Sequence, residues 1–111
     1  MKTADLKGAA LDWAVVKCEG WKVSVDEFLK SQISSSKFAY SSVWAKGGQI
    51  IEREGLTVEY LHDTRWLARH PVAKRHSHHI TGEGPTPLIA AMRCHVASKL
   101  GDDVEIPENL K

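Results

Sequence analysis

Residues 86–101 read TPLIAAMRCHVASKLG and form the clearest helical pattern in the chain. Thr86 is typical of an N-cap, and Pro87 occupies the first helical position, where the N–H that proline lacks is not needed. Apolar side chains then recur at helical spacing and form one stripe: Leu88, Ile89, Met92, Val96 and Leu100. Gly101 favours the left-handed conformation in which helices often end. The pattern predicts an amphipathic helix over about residues 87–100.

A second face of this helix carries only small side chains, those of Ala90, Cys94 and Ala97. Such a face permits a close neighbour, which we expect to be either the first helix or a second copy of the chain. His95 lies at the edge of the apolar stripe, and we interpret it as a packing residue rather than a general base. Cys94 and Cys18 lie in predicted helices. A disulfide between them would be possible if the helices touch, but we favour packed, reduced thiols.

The other main helix is predicted over about residues 4–18. Thr3 is a suitable N-cap and Gly20 a suitable end. Asp12 and Glu19 lie opposite a broad apolar face formed by Leu6, Ala10, Leu11, Trp13, Ala14 and Cys18. Because two such helices need a further layer to cover them, we expect them to pack on a sheet.

The segment between the helices is less regular. Alternation at 21–25 is typical of a strand, yet the capping box that begins at Ser24 favours a helix to about Ile33. We favour a strand at 21–23 followed by that helix. The pair Gly47-Gly48 indicates a turn or a close approach, residues 50–53 a helical turn closed by Gly55, and residues 56–61 a strand with alternating apolar positions.

The remaining segments and the composition complete the fold prediction. Residues 62–81 carry no clear pattern, 82–85 read as a turn, and 102–108 as an extended acidic tail. A length of 111 residues with 42% apolar and 26% charged residues is typical of one globular domain. We therefore predict a single α+β domain over residues 1–111, with both main helices packed on a small antiparallel sheet.

Charge and targeting signals exclude several classes of protein. The net charge of +1 gives no general attraction to nucleic acid or to an anionic membrane. The first residues lack the apolar run of a secretory signal, and no stretch approaches the length of a membrane span. We expect a cytoplasmic protein without a membrane partner.

Three blocks of the sequence resemble the NinX family of lambdoid phages. They are LDWAV at 11–15, WAKGGQIIERE at 44–54, and GPTPLIAAMR with VASKLGD at 84–93 and 96–102. The resemblance implies a phage or prophage accessory protein that acts inside the infected or lysogenic bacterium. It implies no particular biochemical activity and no catalytic residues. Residues 42–44 read Ser-Val-Trp where the family pattern has Thr-Asp-Trp.

A basic, histidine-rich segment spans residues 65–79 and contains no acidic residue. One hypothesis is a nucleic-acid patch, with Trp66 stacking on a base and four cations contacting phosphates: Arg65, Arg69, Lys74 and Arg75. A metal site would use His76, His78 and His79, but nothing in the pattern fixes three such ligands in tetrahedral geometry. We favour a solvated loop and predict no metal and no cofactor.

The middle block suggests a pocket for a ligand or partner. Its candidate residues are Trp44, Gly47, Gly48, Glu52, Arg53 and Arg93, because an indole beside two glycines permits close contact and arginine binds phosphate or carboxylate. The alternative is that Trp44 and Ile50 simply fill the core. No motif for a nucleophile elbow, phosphate loop, redox dithiol or zinc protease is present, which disfavours an enzyme.

Two main hypotheses for function follow. The first is a non-enzymatic interaction protein that binds a host or phage protein, or itself as a homodimer through the Ala90/Cys94/Ala97 face. The second is a binder of a small, nucleotide-like ligand that counters host defence. Weak nucleic-acid binding through residues 65–79 is a further alternative.

Overall fold

The computed structural model describes residues 1–71 and 80–111, which form four α-helices and three β-strands. In chain order the elements are α1 (Gly8–Cys18), α2 (Val25–Ser34), α3 (Trp44–Glu54), β1 (Thr57–His62), β2 (Arg65–Arg69), β3 (Thr81–Gly84) and α4 (Pro87–Leu100). Single 3₁₀ turns lie at Thr3–Asp5 and Glu108–Leu110. The α+β prediction is confirmed. Within the described ranges, no helix is long and apolar enough to cross a membrane.

Helix α4 has the ends that its sequence predicts. The Thr86 hydroxyl oxygen accepts the N–H of Ile89 at 3.1 Å, and Gly101 follows the helix with a φ of 88°. The helix is buried over most of its circumference. Its buried residues are Leu88, Ala90, Ala91, Met92, Cys94, His95 and Val96. It contacts all three strands as well as α1 and α3. Helix α4 is therefore the interior element around which the other elements pack.

The close neighbour of the small face of α4 is strand β3. A Cβ atom added at Gly82 would overlap the backbone atoms of Ala90 and Cys94, so the strand and the helix backbone are in direct contact. Ala90 and Cys94 are fully buried. Strand β3 therefore occupies this face at Ala90 and Cys94, where the sequence leads us to expect α1 or a second copy.

The sheet is antiparallel with the order β1-β2-β3. Val58, Ala68 and Gly82 are register partners across it, on the face that packs on α4. Strand β1 confirms the predicted strand. Strand β2 lies where the sequence predicts no element, and β3 lies largely where it predicts a turn. The signal was missed because two inward positions of β3 are glycines, Gly82 and Gly84, which carry no hydrophobic side chain.

The N-terminal segment differs from its prediction. The helix begins at Gly8 and not at residue 4, and its N-cap residue Lys7 makes no side-chain cap. The Thr3 hydroxyl instead donates to the carbonyl of Gly101 at 2.6 Å and joins the two ends of the fold. Asp12, predicted to lie on the polar side of α1, is buried, and desolvation raises the pKa of its carboxyl group to about 6.

Residues 21–34 follow one of the two patterns read from the sequence. The predicted strand at 21–23 is not formed, since these residues make no strand pairing within the described chain. The predicted helix is confirmed as α2, and the Ser24 hydroxyl oxygen accepts the N–H of Glu27 at 3.1 Å. A local capping interaction is satisfied here, whereas a strand would need a partner.

Helix α3 runs through the glycine pair that the sequence indicates as a turn or a close approach. Gly47 makes the close approach, because a Cβ there would overlap the carbonyl oxygen of Tyr40 and lie 2.7 Å from a methyl group of Leu88. Of the two alternatives for the glycine pair, the close approach is therefore the one that forms. The predicted helix end at Gly55 is confirmed by its φ of 68°. The N-cap position is Val43, which offers no side-chain acceptor.

The adjacent glycines of α3 give a matched test of this packing. Gly47→Ala should lower the free energy of unfolding by more than about 2 kcal/mol, because a backbone carbonyl blocks the added methyl group. Gly48→Ala places its Cβ 3.5 Å from the Trp44 ring, an ordinary contact. This variant should be more stable by about 0.5–1 kcal/mol, since alanine is the better helix former. Urea denaturation measures both, and equal effects of the two substitutions would contradict the close contact at Gly47.

Candidate functional site

An open cavity of about 400 Å³ lies beside α3 and is lined by both cationic and aromatic side chains. We call it the Arg53 cavity. It is lined by Glu19, Trp21, Lys37, Tyr40, Lys46, Gln49, Ile50 and Arg53. The end of α1, the loop before α3 and α3 itself each contribute. Three side chains in this lining are cationic and one is a carboxylate.

Arg53 is held in a fixed orientation by two carboxylates. Its terminal nitrogens donate to the two oxygens of Glu19 at 2.6 and 2.8 Å, and its Nε donates to Glu54 at 3.0 Å. These bonds, above all those to Glu19, raise the pKa of the Arg53 guanidinium and lower that of Glu19. Paired parallel bonds of this kind fix geometry as well as charge. Arg53 therefore presents a half-exposed cation whose position is set before any ligand arrives.

His95 supports this arrangement from inside the core. Its Nε2 lies 3.0 Å from a Glu19 oxygen, its side chain is fully buried, and its Nδ1 has no partner among the described residues. Burial lowers the pKa of His95, so the ring is neutral at pH 7. When the neutral ring donates its Nε2–H to Glu19, the unpaired Nδ1 is an acceptor and carries no hydrogen. His95 thus orients Glu19, which in turn orients Arg53.

Glu54 forms the second branch of this network. His70 Nε2 and Lys99 Nζ lie 3.4 and 3.6 Å from one of its oxygens. Burial raises the pKa of Glu54, but the hydrogen bonds from Arg53 and His70 and the nearby cationic charges outweigh it, and the pKa is about 2. Glu54 is therefore ionised at neutral pH and balances the charge of Arg53.

An aromatic wall stands beside these charges. Trp21 Nε1 donates to the hydroxyl of Tyr40 at 3.1 Å, and the Trp21 ring packs edge-on against Phe38 at 5.5 Å. Lys37 Nζ lies 5.1 Å from the Trp21 ring centre, within cation–π range. Trp21 is still 43% exposed. An indole that is anchored but accessible can stack on a planar group.

The residues that the sequence nominates for a pocket are not brought together. Arg53 lines the Arg53 cavity, Gly47 and Gly48 lie within α3, and Glu52 is exposed on the same helix. Trp44 lines a separate cavity of about 310 Å³ at the start of α4. Arg93 lies elsewhere and donates to the carbonyls of Leu6 and Glu83 at 2.8 and 2.7 Å.

The described part of the basic segment is divided between two faces of the sheet. Trp66 packs edge-on against Tyr60 at 5.3 Å, while Arg69, an odd number of residues away, forms an ion pair with Glu59 at 2.7 Å. Arg65 begins β2. Lys74, Arg75, His76, His78 and His79 lie outside the described residues. In residues 1–71 and 80–111, no group of three metal-ligating side chains could hold an ion.

Sequence reasoning missed most of the Arg53 cavity. Trp21, Lys37, Tyr40 and Lys46 come from a loop and two helix ends, and no local pattern joins them. The sequence pattern places Glu19 on the solvent side of α1 and indicates only a packing role for His95. The one available signal was His95 beside an apolar stripe, because a buried imidazole needs a hydrogen-bond partner.

The neutral state of His95 predicts a pH dependence of stability. Its pKa is lowered in the folded chain from about 6.5, so the unfolded chain binds the proton more readily. The contribution of His95 to the free energy of unfolding should therefore fall as the pH drops below about 6.5, whereas Asp12, whose pKa is raised, acts in the opposite direction. His95→Gln, whose amide can still donate to Glu19, should reduce this fall in urea denaturation.

The exposed His62 provides the control for this measurement. His62→Gln should retain the pH dependence of the native sequence. An unchanged pH profile in His95→Gln would show that His95 is not held neutral.

Comparison with known proteins places the chain in a family. The family described as Bacteriophage P22, NinX matches residues 2–99, a range that includes every lining residue of the Arg53 cavity. No curated protein sequence matches the chain. The match covers most of the chain and confirms the resemblance seen in the three sequence blocks. The chain belongs to the NinX family of bacteriophage P22.

Proposed function

We propose that this protein binds a small anionic ligand with a planar ring, a nucleotide-like molecule, in the Arg53 cavity. The observation that carries the proposal is that two lysines, Lys37 and Lys46, line a cavity whose carboxylate in the described lining, Glu19, is already bonded to Arg53. Glu19 and Glu54 balance the charge of Arg53, so the two lysines supply the net positive charge. Both oxygens of Glu19 accept bonds from Arg53, and one also contacts His95. Lys37 and Lys46 form no ion pair within the described chain, so their charges remain available to an anion.

The aromatic side chains of the cavity are suited to the planar ring of the proposed ligand. Trp21 is fixed through its indole N–H, and its exposed surface is free to stack on a base. A cavity of about 400 Å³ is within the range of small-molecule sites. Lys46 and Arg53 on α3, together with the exposed indole of Trp21 in the same lining, suit a phosphate joined to a planar ring.

Binding without chemistry is the simplest role for this arrangement. His95 is fully buried, and burial raises the pKa of the neighbouring Cys18 thiol to about 12, so neither supplies an accessible base or nucleophile. Membership of a phage family fits a protein that captures a nucleotide-type signal of host defence.

Adenosine 5′-monophosphate is a suitable first probe, with adenosine as its uncharged counterpart. NMR of the Trp21 indole N–H should show saturable binding of the nucleotide and weaker binding of adenosine. Lys46→Gln removes one cation without touching the Glu19–Arg53 pair. It should weaken nucleotide binding about tenfold, the usual loss for one charge-assisted contact.

Lys30→Gln provides the matched control, because Lys30 is exposed on α2 and does not line the cavity. Its affinity for the nucleotide should equal that of the native protein. The proposal is wrong if neither compound shifts the Trp21 signal, or if Lys46→Gln binds as tightly as Lys30→Gln.

A second candidate function is self-association through Trp44. This side chain is 58% exposed and lines a cavity with Pro87, Leu88 and Ile89 whose surface is mainly apolar. Exposed indoles beside apolar pockets are typical centres of protein interfaces. The Trp44 ring of one copy has the size and polarity to enter the cavity of another.

Sedimentation equilibrium tests this candidate directly. The native protein should dimerise with increasing concentration, and Trp44→Ser should remain monomeric. Trp21→Ser removes the other strongly exposed indole in the described chain and should leave the dimer intact. A native protein that stays monomeric, or a Trp44→Ser variant that still dimerises, would exclude this interface.

A further inference from the structure

A second polar cavity, of about 200 Å³, lies between β2, β3, α4 and the N-terminal segment. We call it the Arg93 cavity, and it shares no lining residue with the Arg53 cavity. Two arginines line it, Arg65 at the start of β2 and Arg93 on α4. The sequence indicates Arg65 for a nucleic-acid patch and Arg93 for a ligand pocket. The fold brings both to one place.

Arg93 is held rigidly, but only by neutral groups. Its Nε donates to the carbonyl of Leu6 at 2.8 Å, and one terminal nitrogen donates to the carbonyl of Glu83 at 2.7 Å. Within the described ranges, neither Arg93 nor Arg65 has a carboxylate oxygen within 4.0 Å. Half-buried Arg93 is therefore fixed in position by neutral carbonyl groups, without a direct ion pair to an acid.

The two arginines also act on one another. Burial is the main cause that lowers the pKa of Arg93, the positive charge of Arg65 is the next, and the carboxylate of Asp5 opposes both. Two like charges at one cavity repel each other, and an anion bound between them would attract both. Planar guanidinium groups are suited to bind the oxygens of phosphate in pairs.

We propose that the Arg93 cavity binds a phosphate-type oxyanion between the guanidinium groups of Arg65 and Arg93. The lining also contains Thr81, whose hydroxyl can donate to an oxyanion. The volume is half that of the Arg53 cavity, which favours a phosphate group over a whole nucleotide. The ligand is either free phosphate or the phosphate of a monoester.

Two carboxylates at the rim give the proposal a second, opposite test. Glu83 and Asp102 line the cavity and are exposed, and neither forms an ion pair with the arginines. Their negative charges oppose an incoming anion across solvent. Neutralising a rim carboxylate should therefore strengthen binding, whereas neutralising an arginine should weaken it.

The experiment titrates inorganic phosphate and ribose 5-phosphate at constant ionic strength and follows the Arg93 Nε–H signal by NMR. Saturable shifts are expected at Arg93, with the Trp21 indole signal unchanged by inorganic phosphate. Arg65→Gln should weaken binding about tenfold, and Glu83→Gln should strengthen it by about twofold or more. Tighter binding of the free ion identifies phosphate as the ligand, and tighter binding of the ester identifies a phosphorylated metabolite.

Arg69→Gln is the matched control, because Arg69 lies on the same strand, is paired with Glu59 and does not line the cavity. Its affinity should equal that of the native protein. Arg93→Lys keeps the positive charge but loses the planar, paired donors of the guanidinium group, and it should also weaken binding. This variant tests the proposal independently if Arg65→Gln folds poorly. The proposal is overturned if the native protein does not bind phosphate. It is also overturned if Arg65→Gln and Arg69→Gln bind phosphate with equal affinity.

Discussion

The burial of helix α4 on nearly all sides is the constraint on which the rest of the fold depends. A helix without a broad solvent face needs partners around its whole circumference, and α1, α3 and the sheet provide them. Its residues must then be apolar, small or internally paired. His95 is a residue of the paired kind, and its contact with Glu19 joins the core to the Arg53 cavity.

Both candidate sites follow from how the outer elements meet this helix. The Arg53 cavity opens where α1 and α3 meet, and its charges are fixed by a chain of contacts that begins at His95. The Arg93 cavity opens on the sheet side, where Arg93 reaches the carbonyls of Leu6 and Glu83. In both, one arginine is oriented by the framework while a second cation lies nearby. Such preorganisation reduces the ordering that a ligand would otherwise have to impose.

The sequence predicts those parts of the fold that local interactions determine. The capped start of α4, the Ser24 cap of α2 and the alternating strand β1 depend on neighbours within a few residues, and each is present. Strand β3 was missed because its inward residues are glycines, and the start of α1 because Thr3 bonds to Gly101, 98 residues away. Tertiary contacts determine both features.

The candidate sites were harder to predict for the same reason. Arg53 and Arg93 were nominated from the sequence as one pocket, yet they line different cavities. Glu19 looked solvent-facing because periodicity describes one helix and not what packs on it. Arginines carry recognisable chemistry, but the residues that orient them come from other segments.

The direct contact between β3 and α4 also limits how this family can diverge. The neighbours of Gly82 are backbone atoms of Ala90 and Cys94, and every amino acid has the same backbone. A mutation that adds a side chain at position 82 therefore has no compensating substitution on the helix. Positions 90 and 94 can exchange among small residues over evolutionary time, whereas position 82 should remain glycine as long as strand and helix keep this spacing.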